Sequence, residues 1–203
     1  MNKKMLLIGF FFSGMTALLY EVIWMRPLTI IFGSTTYAIS TVLSAFMAGL
    51  ALGSYISSKH ADKIKNPLKV FAIIHILIGI YGIVIINLFN YLPQPYIWIW
   101  NTFNLNLTMF IIIQFLLCFA VLLIPTTLMG AAWPIVNKGY NKKDEVGKDT
   151  GTLYSVNSVG AIIGSSIAGF ILIPTLGIKW ASIVTAIINL MLGIIMWFVS
   201  KRK

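Results

Sequence analysis

Glu21 is the residue in this chain best placed to do chemistry. It sits inside an apolar run, while the other acidic residues, Asp62, Asp144, Glu145 and Asp149, fall in polar connections or beside them. A charged side chain in hydrocarbon costs about 3 kcal/mol at a helix centre, so an intramembrane carboxylate points by default to a proton or a cation. Tyr20, Trp24 and Arg26 flank it, and Asn157 is a second polar group within an apolar stretch. Together these five residues form the candidate substrate or proton set. The structural alternative is a salt bridge from Glu21 to Arg26 or Lys179, or hydrogen bonds to nearby Tyr and Trp. Arg26 is five positions on, roughly 140° around a helix, so an intrahelical pair is poor. Metal chemistry has no basis here: Cys118 is the single cysteine, and His60 and His75 have no ligand spacing to each other. No cofactor is expected.

The elements that must position these residues are membrane-spanning. Six apolar stretches, about 5–25, 36–57, 69–90, 107–136, 151–173 and 178–199, each reach the ~20 residues a spanning helix needs. The reading is one all-α integral membrane domain over residues 1–203. Hydrophobic residues make up 59% and charged residues 10%, far from a soluble globular composition. The net charge of +10 would suggest nucleic acid in a soluble protein, but its placement excludes that. Lys3 and Lys4, Lys59–Lys69, Lys138–Lys148 and Lys201–Lys203 all fall on one side if every stretch crosses once. Only Arg26 and Lys179 fall on the other. The positive-inside rule then puts both termini in the cytoplasm, with the plasma membrane as location. Lys3-Lys4 before Met5–Phe12 also resembles a signal peptide, but the apolar run continues to Met25, too long for one.

The spans group as three plus three around the longest connection, 91–106, whose Tyr91, Tyr96, Trp98 and Trp100 suit an anchor in the outer headgroup layer. Ala45, Gly49 and Gly53 in the second span, and Gly160, Gly164 and Gly169 in the fifth, are spaced to let helices approach closely. Each set thus carries its small-residue helix in the middle, in opposite orientations, which is the pattern of an inverted repeat. Pro125 interrupts the long fourth span, predicting a kink, with Thr126 and Thr127 available to satisfy freed backbone groups or to bond back to the helix. Thr35, Thr36 and Tyr37 suit a cap at the start of the second span.

Two segments carry a resemblance. Gly53 to Lys63, ending Ala61-Asp62-Lys63, resembles the loop after the second helix of the major facilitator superfamily, and Gly160 to Gly169 resembles its fifth-helix glycine motif. The loop lacks the family's glycine after its Asp-basic pair; Ser165 and Ala168 replace a proline and a glycine in the helix. More specifically, Tyr20–Arg26, Phe32–Ala38, Ala45–Gly53, Pro125–Ala131 and Gly151–Gly160 resemble the membrane part of fused transporter/spermidine-synthase proteins, over about Gly14 to Gly177. The resemblance implies the amino-terminal six-helix half of such a transporter and a cationic, polyamine-like cargo. It also gives Asp62 and Lys63 a conformational role, with Asp62 facing the start of a helix in the other half. No synthase fingerprint is present, and five acidic residues are too few for an aminopropyltransferase cleft, so enzyme activity is not expected. The expectation is therefore a half-size transporter that works as a parallel homodimer in the bilayer. In it Asp62 would approach Thr150–Tyr154 of the partner. The alternative is a non-transporting anchor or regulator of a separate synthase, docked on Lys138–Lys148.

Overall fold

A computed structural model describes residues 3–103, 106–141 and 145–201. Lys142, Lys143, Arg202 and Lys203, four of the cations used for topology and docking, lie outside the described residues. The described residues are helical throughout: α1 (Lys3–Phe32), α2 (Thr36–Ala61), α3 (Pro67–Tyr91), α4 (Pro93–Phe103), α5 (Leu107–Tyr140), α6 (Val146–Ile167), a π-helical turn (Ala168–Leu172) and α7 (Ile173–Lys201). Five stretches are long and apolar enough to cross a membrane, so this is a multi-pass membrane protein: Lys3–Phe32, Thr36–Ala61, Pro67–Phe103, Leu107–Tyr140 and Val146–Lys201. The last is 56 residues long, about 84 Å if straight and far beyond a ~30 Å hydrocarbon core. It is broken at Gly177, where φ is +73° and the chain reverses. Beyond that break α7 runs back along α3: Ser182 bonds the Gly82 carbonyl, and Trp197 meets Lys69.

Local chemistry explains most boundaries. Gly33, at φ +90°, ends α1, which runs about two turns past the expected 25 and through Pro27. Thr35 then caps α2 by accepting from the Ala38 amide at 3.2 Å. Asn66 caps α3 with Pro67 in its first turn, and Asn106 caps α5. The 91–106 connection holds a helix of its own, α4, with no buried residue. Trp98 and Trp100 are exposed on it, as an interfacial anchor requires.

α5 continues through Pro125 and Pro134. Pro125 cannot donate to the Val121 carbonyl, and the group that does so comes from α3: the Tyr81 hydroxyl, at 2.7 Å. Thr126 instead bonds back to Leu122 at 2.6 Å. The freed carbonyl is thus satisfied by a bond between helices, while Thr126 bonds back to its own helix.

Three helix pairs carry the packing: α2 with α5, α1 with α6, and α3 with α7. Glycines seat all three. A Cβ on Gly14 would strike the Asn157 carbonyl, one on Gly160 the Phe11 carbonyl, and one on Gly164 the Met15 carbonyl. In the other parallel pair, Gly130 meets the Leu50 carbonyl, Gly53 meets the Thr127 carbonyl, and Ser57 donates to the Ala131 carbonyl at 2.9 Å. One constant shift carries Phe11, Gly14 and Met15 onto Thr127, Gly130 and Ala131. A second carries Leu50, Gly53 and Ser57 onto Asn157, Gly160 and Gly164. The third pair maps onto itself: Gly79 lies against Ala186 and Leu190, and Gly193 lies against Ala72 and Ile76. Such approach supplies dispersion contact that hydrophobicity cannot supply in lipid.

Gly169 meets nothing within 4 Å, so within the chain it does not share the seating role of Gly160 and Gly164. Replacing Gly53 or Gly164 with Leu forces two backbones apart and is expected to destabilise by about 1–3 kcal/mol, seen as a lower thermal midpoint in detergent. Gly169→Leu is expected to leave the midpoint unchanged.

Candidate functional site

The three pairings leave a concave face between α1, α2, α5 and α6, with α3 and α7 behind it. A cavity of about 440 Å³ opens there, lined by Phe10, Ser13, Gly14, Ala17 and Leu18 of α1, Met47, Leu50, Ala51 and Ser54 of α2, Met129, Gly130 and Trp133 of α5, and Asn157 of α6. These positions fall near the middles of α2 and α6, in the first half of α1 and in the last third of α5. The paired glycines Gly14 and Gly130, and their contacts Asn157 and Leu50, meet at its floor. Phe10 and Trp133 pack at 5.3 Å, and Tyr154 meets the other side of Trp133 edge-on, so aromatic rings border the cavity.

Glu21 lies on the cavity's side of α1. Phe10, Gly14, Ala17 and Glu21 follow helical spacing along one stripe, which sets Glu21 one turn beyond the lining residues. It is 8% exposed, and among the described residues its carboxylate makes no hydrogen bond or ion pair. Arg26 is exposed on another side of the helix, so the salt bridge weighed from sequence does not form.

Tyr20 and Trp24 turn the other way. They stack at 4.3 Å and face α3 and α7, where Trp24 Nε1 donates to Ser182 Oγ at 3.3 Å. Tyr20 presses its ring end on Gly82. Asn157 both lines the cavity and holds α6 to α1, with Nδ2 donating to the Phe10 carbonyl at 3.0 Å. Of the five candidates, Glu21 and Asn157 share the cavity face; Tyr20, Trp24 and Arg26 do not.

The conformational candidates lie elsewhere. Asp62 caps the end of α2, exposed, and its carbonyl accepts from Lys138 Nζ. Lys63 is exposed beside it. Thr150, its expected partner from a second copy, bonds Asn137 at 3.2 Å and Asn141 at 3.0 Å within the same chain. Lys3 closes this end by pairing with Asp149 at 2.9 Å and lying over the Tyr140 ring. Gln114 closes the opposite end, donating to the Phe32 carbonyl at 3.0 Å and to Tyr96 at 2.8 Å.

Sequence reasoning missed a buried polar cluster behind the cavity. Asn189 Oδ1 accepts from Thr16 Oγ1 at 3.2 Å and lies 2.7 Å from His75 Nδ1; the Asn189 amide donates to the Thr185 carbonyl. Ser182, Thr185 and Asn189 sit at helical spacing on one face of α7, and that polar stripe was the available signal. His75 and Asn189 correspond under the same shift that relates Gly79 to Gly193.

No known family model, curated protein or solved structure matches the chain.

Because Glu21 holds no partner, Glu21→Gln is expected to leave the thermal midpoint in detergent unchanged or slightly higher. A fall of several degrees would reveal a structural role. Asn157→Ala removes an interhelical bond and is expected to cost about 0.5–1.5 kcal/mol by the same measurement.

Proposed function

We propose that the chain is a half-size membrane transporter related in plan to the amino-terminal half of a major facilitator, working as a parallel homodimer on a cationic small molecule. The observation that carries this reading is the unpaired Glu21, one helical turn beyond the lining of a cavity formed by four helices and open to one side. A carboxylate kept in hydrocarbon without a partner contributes nothing to stability, and a cationic cargo or a proton gives it a use.

The register of the helix pairs supports the architecture. Contacts that repeat under constant shifts, with two parallel pairs exchanged and the antiparallel pair self-matched, are those of an inverted three-plus-three repeat. Counting the limbs of Val146–Lys201 on each side of Gly177 as separate crossings gives six spans. The lysine-rich end, where Lys3, Asp62 and Lys138 meet, is then cytoplasmic, together with both termini. The cavity is a single open wall, and a second copy related by a two-fold axis along the membrane normal would supply the other. Alternating access would rock one copy against the other around the two Glu21 residues. The aromatic border of Phe10, Trp133 and Tyr154 suits an organic cation.

The test is uptake of labelled spermidine and of a monoamine into proteoliposomes, with and without a proton gradient. Cation uptake that falls at least tenfold in Glu21→Gln, while the folded fraction is unchanged, is the expected result. No uptake of either, with a soluble synthase-like protein co-purifying, would replace transport with the anchoring role. Cysteines introduced at Asp62 and Thr150, in a chain with Cys118→Ala, are expected to crosslink between copies; crosslinks absent or only within one copy would remove the dimer.

A further inference from the structure

Away from the central cavity, the lysine-rich end of the bundle holds a second cavity of about 380 Å³, between the α2–α3 connection and the last turns of α5 and α7. Ile64, Lys65, Asn66, Pro67 and Leu68 form one wall; Lys138, Gly139 and Ser200 form the other. Beside it, Lys69 and Lys201 lie over the Trp197 ring at 5.0 and 5.5 Å. Two lysines, Lys65 and Lys138, therefore line the opening, and the ammonium groups of Lys69 and Lys201 lie on the Trp197 ring. Among the described residues none of the four forms an ion pair, and Asp62, the single acid of the 59–69 segment, offers Lys138 its backbone carbonyl. Like charges gathered without counter-ions are unfavourable unless an anion completes them.

The surface that continues from this cavity toward the bundle's middle is apolar. The seam between α3 and α5 forms a groove of about 570 Å³, bordered by Leu77, Ile80 and Val84 and by Leu123, Ile124 and Leu128. Lys138 lies ten residues from Leu128 on α5, about 15 Å along the axis, which matches the depth of one leaflet's hydrocarbon. Asn66, Ile73, Leu77, Ile80 and Val84 follow one stripe of α3, so the charged cavity and the apolar groove share a side of the bundle. A soluble anion would use the lysines and leave the groove bare. A lipid with a phosphate head would occupy both.

We propose that this is a binding site for an anionic phospholipid, its phosphate held by Lys65 and Lys138 and one acyl chain lying in the α3–α5 groove. Basic pockets between helices at this level suit such headgroups, and each lysine near the surface contributes about 1 kcal/mol to holding them.

The experiment titrates the detergent-purified protein with phosphatidylglycerol, phosphatidylcholine and inorganic phosphate, and reads the thermal midpoint. Phosphatidylglycerol is expected to raise the midpoint several degrees more than phosphatidylcholine does. Lys65→Gln/Lys138→Gln is expected to weaken that response about thirtyfold in lipid concentration. Lys59→Gln/Lys148→Gln, with the same loss of charge elsewhere, is expected to keep it. If the double variant folds poorly, Lys65→Gln alone, on an exposed loop side chain, is expected to weaken the response about fivefold. Leu77→Trp/Ile124→Trp, which fills the groove, is expected to abolish the difference between the two lipids. Equal responses to both lipids, or an unchanged response in the lysine variants, would overturn the site. A response to inorganic phosphate as large as that to phosphatidylglycerol would overturn the lipid as its ligand.

Discussion

Helices in hydrocarbon gain nothing from hiding apolar side chains from one another, since lipid is equally apolar. They associate where their surfaces fit, and the best fit comes where a missing side chain lets two backbones touch. This bundle is organised around that constraint. Gly14, Gly160 and Gly164 join α1 to α6; Gly49, Gly53 and Gly130 join α2 to α5; Gly79 and Gly193 join α3 to α7. The central cavity follows from it. Two close pairs set side by side, with the third pair packed behind them, leave a hollow on the opposite face.

The polar groups inside the bundle obey a second constraint, that backbone groups and buried side chains find partners without water. The Tyr81 hydroxyl satisfies the carbonyl orphaned by Pro125, which lets α5 run through the proline. Thr16 Oγ1 and His75 Nδ1 both meet Asn189 Oδ1 where α1, α3 and α7 come together. Gln114 and Lys3 tie the two ends. The pairing is incomplete: the Glu21 carboxylate has no partner, and neither do the buried Tyr20 hydroxyl, His75 Nε2 and the Thr127 hydroxyl.

Several features of this architecture were legible in the residues. The apolar stretches and the cap at Thr35 are local properties, set by hydropathy and by the first few backbone amides of a helix. The spacing of Gly49 with Gly53 and of Gly160 with Gly164 announced two contact helices. It did not announce their partners. Gly169 continues the same motif yet touches nothing, because a motif defines a surface and not what lies opposite. The constant shifts that relate the helix pairs were similarly hidden: outside the glycines, most of the matched positions differ in residue type.

What the sequence by itself determined was the class of solvent, the apolar character of the segments, and the isolation of one carboxylate among them. Only the tertiary structure decided which face of each helix turns to which neighbour. That separated Glu21 and Asn157, on the cavity side, from Tyr20 and Trp24, in the core, and from Arg26 at the surface. The reason is physical. Hydropathy along a chain in lipid is uniform around each helix, since both core and exterior are apolar, so the sequence carries little amphipathic signal to orient a helix. Orientation is settled by backbone approach at glycines and by a few polar pairs, both of which are properties of two segments at once.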